Sequence, residues 1–426
     1  MTAREVARRV LERVDQGGAW ATLALDAELG RSGLDERDRR LASELVYGVL
    51  RHRTRIDRAI ARHADLKKTP PKVVTALRVA AYQLLYLDRV PAYAVVDDAV
   101  GAARAVAGGK LAGFTNAVLR KVGAAGHAPL PLGDESTLAR IEVEHSLPRW
   151  MLDELAAAAP PERLAAIAGA LAESAPIVAR TNLLRIERDV LADELRAAGT
   201  SAEPIAGAPA ALRLGDAGDP ATSPTFLAGK WTVQDAGAQQ VAQLAAPRAG
   251  MRVLDACAGV GGKSTHLAEL SSDAAVIIAA DQSSKKLGHL VDSAARLGHR
   301  SITTVLADLL DPAWVKRAGE PALFDLIVLD APCSGLGVLR RHPDAKWRML
   351  PDSVPRLAGL QRLLLDALVP LLAPGGAFVY SVCTFTRAEG PEQMAAFAQR
   401  HGLRVVVEER TWPPEADAFY LARLER

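Results

Sequence analysis

Cysteine and aromatic residues are scarce in this chain of 426 residues, which has three Cys and only 4% Phe, Trp and Tyr. Three cysteines offer no disulfide framework and favour a reducing, cytoplasmic compartment. No run of 18 apolar residues occurs, so we expect no membrane-spanning helix. The amphipathic start MTAREVARRVLERV lacks the apolar region of a signal peptide. These absences exclude a disulfide-stabilised secreted scaffold and an integral membrane protein.

Neither sign of charge dominates the whole chain, whose formal net charge is +2. The charges are unevenly spread, however, because residues 1–125 carry 22 Lys and Arg against 14 Asp and Glu. An excess of positive charge in one part of a chain indicates an anionic partner, and nucleic acid is the obvious candidate. Hydrophobic residues reach 49% with few aromatics, so Ala, Val and Leu must fill the interior and many helices are expected.

The sequence changes character twice, which predicts three domains. Residues 1–125 show apolar positions at helical spacing and no alternating strand pattern, so we expect an all-α domain. Residues 126–244 contain Pro- and Gly-rich stretches such as GHAPLPLGD between short helices and possible strands such as PIVARTNLL, which predicts a linker and a small α+β module. Residues 245–426 form the third domain.

A stripe of arginines marks the helical domain. Arg51, Arg55, Arg58 and Arg62 recur at i, i+4, i+7 and i+11, so they share one face of a helix. Such a stripe is either an ordinary solvated face or a set of phosphate contacts. No aromatic residues are interleaved with it, so base stacking is not predicted.

Five short apolar runs alternate with helix-like segments in the third domain: MRVLDA, AVIIAAD, SITTVLAD, FDLIVLDA and GAFVYSV. Strands alternating with helices predict a parallel sheet wound on both faces, and the continuous apolar character fits strands buried on both sides. Ligands of such Rossmann-like sheets bind outside the carboxyl ends of the strands.

A glycine-rich stretch, LDACAGVGGKSTHL, follows the first of these strands. Its glycines permit a tight turn and close approach of a ligand to the backbone before a helix N-terminus. A P-loop would need glycine where Cys257 stands, and a dinucleotide-binding GxGxxG beginning at Gly259 would need glycine at Ser264. Neither nucleotide motif is therefore present.

Aspartates close the next three strands. Asp281 stands 22 residues beyond Gly259, where a carboxylate can accept the ribose hydroxyls, and Asp308 and Asp330 close the third and fourth runs. Any one of them is more often a cap or turn former, but three together predict a nucleoside pocket. With no phosphate-binding loop and no metal cluster, this pattern favours S-adenosylmethionine as the cofactor, and no metal site is predicted.

Two cysteines stand in specific contexts, DAPCS at residues 330–334 and YSVCT at residues 380–384. With DACAGVGGK upstream, they resemble the RNA cytosine-5 methyltransferases, most closely the RsmB (Sun, Fmu) family, which methylates bacterial 16S ribosomal RNA. ERDRRLASELVYGVLR and GFTNAVLRKV resemble the NusB-like domain of that family, and KWTVQDAGAQQV resembles the segment leading into its catalytic domain. The resemblance covers nearly the whole chain.

The resemblance implies a NusB-like helical domain, a small α+β module and a class I methyltransferase domain. It assigns nucleophilic attack on cytosine to Cys383 and assistance in product release to Cys333, whereas the Pro-Cys pair of DNA cytosine methyltransferases would make Cys333 the nucleophile. Asp330 would contact the cytosine ring, and Lys263 could help a thiol to ionise. The cofactor-binding positions that it implies are Cys257, Ala258, Gly259, Val260, Gly261, Gly262, Lys263, Asp281, Asp308 and Asp330.

Two positions depart from the family pattern: Val260 replaces a common Pro in the cofactor loop, and Val382 replaces a common Thr before Cys383. Neither change removes a reacting group. The basic segment RRHPDAKWR that follows Cys333 could contact the RNA backbone or be an ordinary basic loop. We expect a monomer that acts on 16S ribosomal RNA or on an assembling small subunit. A non-catalytic RNA-binding protein and a DNA cytosine methyltransferase are the alternatives.

Overall fold

A computed structural model describes the chain over residues 1–129, 137–215, 217–317 and 323–426. Within the segment 126–244, predicted to hold a linker and a small α+β module, residues 130–136 lie outside the described residues. The chain forms two compact units: Met1–Ser174 with Leu339–Pro351, and Ala175–Val338 with Asp352–Arg426. The short segment Leu339–Pro351 therefore belongs to the first unit, although the chain on both sides of it belongs to the second.

Helices predominate in the first half of the chain, and helices and strands alternate in the second. The α-helices are α1 (Ala3–Gly17), α2 (Ala21–Ser32), α3 (Glu36–Ala61), α4 (Pro71–Tyr86), α5 (Ala92–Ala107), α6 (Gly109–Ala125), α7 (Thr137–Glu144), α8 (Arg149–Ala158), α9 (Leu164–Ala172), α10 (Arg188–Ala197), α11 (Pro224–Leu227), α12 (Ala236–Ala245), α13 (Gly262–Leu270), α14 (Ser284–Leu297), α15 (Trp314–Arg317), α16 (Ala345–Arg348), α17 (Ser353–Leu368) and α18 (Pro391–His401). The strands are β1 (Ile177–Thr181), β2 (Ser201–Pro204), β3 (Ala211–Gly215), β4 (Trp231–Val233), β5 (Arg252–Ala256), β6 (Val276–Asp281), β7 (Ile302–Leu306), β8 (Phe324–Asp330), β9 (Leu372–Val382), β10 (Arg404–Thr411) and β11 (Phe419–Glu425).

The first unit is built from helices, as the apolar spacing predicts. Helix α1 shows the reason: the Thr2 side chain accepts a hydrogen bond from the Glu5 amide and caps the helix, and Gly18 ends it in the left-handed conformation. The apolar side chains of α1 fall on one face and are buried in a core shared with α3 and α4. Most of the stability of such a helix comes from this packed face.

Helix α3 carries the arginine stripe, and the helix is interrupted at His52, where φ is −111° and ψ is 18°. Arg51 is half-buried, and burial is the main cause that lowers its pKa. Arg58 and Arg62 are exposed. The stripe is therefore not one uniform surface, and only its C-terminal half is open to solvent.

The small sheet of the second unit has the antiparallel order β2-β3-β1-β4. Helix α10 packs against it, with Leu191 and Leu195 buried beside Ala179 and Trp231. This arrangement confirms the predicted α+β module, including a strand within PIVARTNLL.

The large sheet of the second unit has the order β10-β11-β9-β8-β5-β6-β7. The five predicted apolar runs form β5 to β9, which pair in parallel. Strands β10 and β11 extend the sheet in antiparallel fashion. The carboxyl ends of the parallel strands meet along one edge, and the candidate site lies there. Within the described ranges, every helix is too short or too polar to cross a membrane.

Candidate active site

The glycine-rich loop joins β5 to α13 and requires an unusual backbone. Cys257, Gly259 and Gly261 all have positive φ, and a Cβ atom on Gly261 would lie 2.3 Å from Cγ of Leu290. Glycine at 261 is therefore needed both for the left-handed conformation and for the close packing against α14. At Gly259 a Cβ would meet only the Cys257 carbonyl oxygen, at 3.9 Å, so a ligand can approach the backbone there.

Asp281, at the end of β6, ties this loop to the next helix. Its Oδ2 accepts a hydrogen bond from the Gly259 amide at 2.9 Å, and its Oδ1 accepts one from the Ser283 amide at 2.8 Å. The residue is 6% exposed. A carboxylate has about four acceptor sites, so this one retains capacity for further donors such as ribose hydroxyls.

Asp308 lies in a different setting. It follows β7 by two residues, is exposed, and its Oδ1 accepts a hydrogen bond from the Leu310 amide at 3.0 Å. This is the turn-forming contact that aspartate commonly makes. Among the described residues, Asp308 makes no hydrogen bond to the glycine-rich loop, and its part in cofactor binding stays a prediction.

Asp330 and Lys263 form an ion pair at the centre of the site. Lys263 Nζ donates to Asp330 Oδ2 at 2.6 Å, and Ser381 Oγ donates to Oδ1 of the same carboxylate at 2.7 Å. Burial alone would lower the pKa of Lys263, but Asp330 and Asp255 raise it above its ordinary value. Lys263 is thus a partly buried ammonium that keeps its proton.

The two cysteines of the DAPCS and YSVCT motifs meet. Cys333 follows β8 and Cys383 follows the neighbouring parallel strand β9, and their Sγ atoms are 3.4 Å apart. The hydrogen bond with Cys383, then burial, raises the pKa of Cys333 well above its ordinary value. The thiol of Cys333 is therefore held in its neutral form.

Cys257 belongs to the glycine-rich loop. Burial, followed by the nearby carboxylates of Asp281 and Asp330, raises the pKa of its thiol to about 12. A thiol with so high a pKa is a poor nucleophile at neutral pH. Cys257 therefore acts as a loop residue, and Ala258 beside it anchors the loop by donating its amide hydrogen to the Ala280 carbonyl oxygen at 2.9 Å.

Asp255, within β5, is a site residue that the sequence reasoning missed. It is fully buried, and burial raises the pKa of its carboxyl to about 7. Ser264 Oγ donates to its Oδ2, which ties β5 to the first turn of α13. Its position at the end of an apolar run, like that of Asp281 and Asp330, was the signal that could have found it.

Arg180, on β1 of the small sheet, is a second such residue. Its fully buried guanidinium donates to the Gly262 carbonyl oxygen at 2.6 Å and to Glu269 Oε1 at 2.8 Å. It also donates to Gln234 Oε1 and Thr265 Oγ1. The small α+β module therefore holds the N-terminal turn of the helix that follows the glycine-rich loop.

The basic segment RRHPDAKWR does not present all of its cations to a ligand. Lys346 is 1% exposed and donates to the carbonyl oxygens of Arg51 (3.0 Å) and His145 (3.4 Å), and burial lowers its pKa to about 7. Arg348 lies over the Trp20 ring and donates to the Gly18 carbonyl oxygen. Of the two interpretations of this segment, Lys346 fits the one without RNA contact, because its ammonium is buried and donates to backbone oxygens.

The residues around the glycine-rich loop fit S-adenosylmethionine. The open approach to the backbone at Gly259 lies beside Asp281, whose carboxylate suits ribose hydroxyls, and the N-terminus of α13 follows directly. The exposed Val260, at the tip of the loop, removes no hydrogen-bonding group from this arrangement. In the described part of the chain, no three His, Cys, Asp or Glu side chains lie close enough together to hold a metal ion.

Three family models match the chain. The model for 16S rRNA methyltransferase RsmB/F matches residues 242–425, the NusB family model matches residues 1–124, and the model for the ferredoxin-like domain of RsmF/B-like methyltransferases matches residues 147–220. The fold described above contains a helical unit, a small α+β sheet and a doubly wound sheet in the corresponding segments.

Curated relatives match over most of their length. A probable ribosomal RNA small subunit methyltransferase B of Synechocystis is 35% identical over 94% of this chain and 90% of its own, and ribosomal RNA small subunit methyltransferase B of Pseudomonas putida is 36% identical over 94% and 89%. Among solved structures, PH0851 aligns with a TM-score of 0.80 at 22% identity over 99% of both chains. A methyltransferase homologue from Pyrococcus horikoshii aligns with a TM-score of 0.60 at 23% identity, over 69% of this chain and 100% of its own.

The solved structures, at these identities, establish the fold alone: a Rossmann-like α/β sheet. The family model and the curated relatives define an S-adenosylmethionine-dependent methyltransferase. The identities to the curated relatives decide the family: the chain belongs to the ribosomal RNA small subunit methyltransferase B family.

Proposed function

We propose that the protein transfers a methyl group to carbon 5 of a cytidine in 16S ribosomal RNA, and that it acts as a cytoplasmic monomer. One observation carries the chemistry: the Sγ atoms of Cys333 and Cys383 lie 3.4 Å apart at the sheet edge that carries the Lys263–Asp330 pair. The names of the curated relatives support ribosomal RNA as the substrate.

Carbon 5 of cytosine is too weak a nucleophile to be methylated directly. A thiolate from Cys383 adding to carbon 6 turns the ring into an enamine-like adduct with a nucleophilic carbon 5. S-adenosylmethionine supplies the methyl group as an electrophilic carbon on its sulfonium. Removal of the carbon-5 proton then allows the bond between Cys383 Sγ and carbon 6 to break, and Cys333 assists this elimination.

Lys263 and Asp330 prepare the site for these steps. The ammonium of Lys263 lies close enough to Cys383 for the two groups to interact electrostatically, and a neighbouring cation is a common feature of reactive cysteines. Asp330 accepts hydrogen bonds from Lys263 and Ser381 and retains acceptor sites for the amino group of cytosine. Because Ser381 pairs with Asp330 across β8 and β9, the strands fix this carboxylate beside both thiols.

A non-catalytic RNA-binding protein is the alternative, with the helical unit as the working part. The hydrogen bonds that fix Asp281 and Asp330, together with the adjoining thiols, argue for an enzyme. A thermal-shift measurement separates the two: S-adenosylmethionine should raise the unfolding temperature of the enzyme and leave that of a pure binding module unchanged.

Bisulfite sequencing of 16S ribosomal RNA tests the proposed reaction. In a strain lacking the gene, one cytidine that resists conversion in the parent strain should become convertible. The parental gene should restore resistance and Cys383→Ala should not. Unchanged resistance at every cytidine of the deletion strain would contradict the proposal.

A further inference from the structure

A buried carboxylate contacts the loops that carry the two thiols. Glu389 is fully buried, and four hydrogen bonds reach it. Its Oε1 accepts from the Ser334 amide at 2.8 Å and from Gln361 Nε2 at 3.0 Å. Its Oε2 accepts from the hydroxyls of Ser334 and Thr386, the latter at 2.9 Å. All of these donors are neutral groups, and together they use the acceptor sites of the carboxylate.

Two of the donor residues, Ser334 and Thr386, belong to the loops that carry the cysteines. Ser334 follows Cys333, and its Oγ lies 2.9 Å from Oγ1 of Thr384, the residue that follows Cys383. Gln361, which also bonds to Glu389, donates to the Pro332 carbonyl oxygen at 3.0 Å. Both peptide neighbours of Cys333 are therefore tied, directly or through Gln361, to one side chain.

The Glu389 backbone is fixed as well. The Tyr380 hydroxyl, on β9, donates to the Glu389 carbonyl oxygen at 2.8 Å, and Tyr380 is fully buried. The Gly337 amide donates to the Cys383 carbonyl oxygen at 3.0 Å. These contacts complete a network of buried, mutually hydrogen-bonded polar groups, and such networks specify a single geometry.

The negative charge of Glu389 has a second consequence. The titratable groups that face Cys333 are Cys383, Glu389, Asp330 and Tyr380. After the hydrogen bond with Cys383 and burial, the charges of Cys383, Glu389 and Asp330 further raise the pKa of Cys333. Cys383 has Lys263 as a neighbouring cation. The carboxylates of Glu389 and Asp330 are therefore part of the surroundings of Cys333.

We propose that Glu389 is a positioning residue that holds the two cysteine loops in register and adds its negative charge to the surroundings of Cys333. The assignment of catalytic roles to the thiols rests on the proposed function; the geometric and electrostatic action of Glu389 does not.

Two substitutions separate geometry from charge. Glu389→Gln removes the charge and preserves the shape, because the hydroxyls of Ser334 and Thr386 can rotate to accept hydrogen bonds from an amide. Glu389→Ala removes both. Glu392→Gln is the matched control, since Glu392 lies three residues away, is exposed and pairs with the exposed Arg387.

Alkylation by iodoacetamide gives the direct readout, measured for each cysteine by peptide mass spectrometry between pH 6 and 10 without RNA or cofactor. The rate follows the thiolate fraction, so a shifted midpoint is also detected below it, as a changed rate at each pH. Glu389→Gln should lower the pH midpoint for Cys333 alkylation by about 1 unit, as removal of a nearby like charge does. Glu392→Gln should leave it at the parental value. An unchanged Cys333 midpoint in Glu389→Gln would overturn the proposal.

Methylation kinetics supply the second readout. Glu389→Ala should lower kcat with the cofactor dissociation constant unchanged, and Glu389→Gln should recover part of the loss. Equal kcat in Glu389→Ala and the parent would overturn the positioning role. If Glu389→Ala does not fold, the alkylation midpoint of Cys333 in Glu389→Gln decides whether the proposal holds. If the Cys333 alkylation midpoint shifts in Glu389→Gln but the parent protein methylates no RNA, the proposed function is contradicted and the proposed action of Glu389 is still supported.

Discussion

Lys263 and Asp330 join two motifs that are 67 residues apart: Lys263 Nζ, in the first turn of α13, donates to Asp330 Oδ2 at 2.6 Å at the end of β8. The pair connects the glycine-rich loop to the strand that leads into Cys333. It also places a permanent cation beside Cys383, because Asp330 holds the pKa of Lys263 up against the effect of burial. The charged groups of the cofactor loop therefore interact with those beside the thiols.

Asp330→Asn should reduce the rate of methylation by roughly 100-fold or more, the scale on which a preorganised polar group contributes to a reaction. The substitution removes both the acceptor proposed for cytosine and the partner of the Lys263 ammonium. Ser381→Ala is the control, since it removes one donor to Asp330 and keeps the charge, and its loss should be smaller. Equal rates in Asp330→Asn and the parent, measured by methyl transfer to 16S ribosomal RNA, would exclude the assigned role.

Asp281→Ala should weaken S-adenosylmethionine binding by roughly 1.5–3 kcal/mol, because a charged acceptor for ribose hydroxyls is lost. Isothermal titration calorimetry measures the change. Asp292→Ala provides the control, since Asp292 is an exposed carboxylate on the helix that follows Asp281. Identical cofactor affinity in Asp281→Ala and the parent would refute the assignment.

The exposed arginines of α3 and its end should contact RNA phosphates. Replacing Arg58 and Arg62 together with Gln should make the affinity for RNA less dependent on salt, lowering the slope of log K against log salt by roughly 1.5–2 if both contact phosphate. Arg40→Gln, an exposed arginine on the same helix that pairs with Glu36, should leave the slope unchanged. Equal slopes in all three proteins would show that Arg58 and Arg62 form an ordinary solvated face.

The buried Lys346 should make stability depend on pH. Burial, then Arg51, lowers the pKa of Lys346 to about 7 in the folded protein, whereas a lysine in the unfolded chain has a pKa of about 10.4. Between these values the unfolded chain binds more protons, so Lys346 makes the free energy of unfolding rise with pH by up to about 1.4 kcal/mol per unit. Below about pH 7 Lys346 is protonated in both the folded and the unfolded chain, so its burial then lowers the free energy of unfolding by the full amount.

Lys346→Met removes this titration. The difference in free energy of unfolding between parent and Lys346→Met should therefore grow in favour of the parent from pH 7 to pH 10, as measured by urea denaturation. Lys72→Met, at an exposed lysine of the same unit, should run parallel to the parent. A constant difference between Lys346→Met and the parent over this range would show that Lys346 titrates normally.

The parallel strands could be predicted because burial on both faces leaves continuous apolar runs, as in AVIIAAD and FDLIVLDA. Strand β10 escaped prediction for the opposite reason. Sequence RVVVEERT of β10 mixes apolar and charged residues, since the strand lies at the sheet edge and is partly exposed. Edge strands carry a weaker sequence signal than central ones.

The meeting of Cys333 with Cys383, and of Lys263 with Asp330, could be predicted because these residues stand within specific local motifs at strand ends. Glu389 and Arg180 could not, since their partners lie about 55 and 85 residues away along the chain and only folding brings them together. The burial of Lys346 could not be predicted for the same reason. The local sequence shows the charge of Lys346, but its burial depends on Arg51 and His145, which are distant in the chain.

Residues Leu339–Pro351 also change how truncations should be designed. A division at residue 125 looks natural from the sequence, but Trp347 Nε1 donates to the Leu50 carbonyl oxygen at 2.8 Å and Lys346 donates to that of Arg51. Removal of residues 1–125 would leave these donors and the Trp347 ring without their partners. Point substitutions on α3 are therefore the better test of RNA binding.

The covalent mechanism is tested most directly by trapping the adduct. Parent protein, Cys333→Ala, Cys383→Ala and the double variant are each incubated with 16S ribosomal RNA and S-adenosylmethionine and separated on a denaturing gel. Cys333→Ala should accumulate a retarded protein–RNA band, because attack by Cys383 and methyl transfer proceed and elimination stalls. Cys383→Ala and the double variant should show no such band. A band in Cys383→Ala instead would reverse the roles of the thiols, and methylation by both single variants without any band would contradict the covalent mechanism itself.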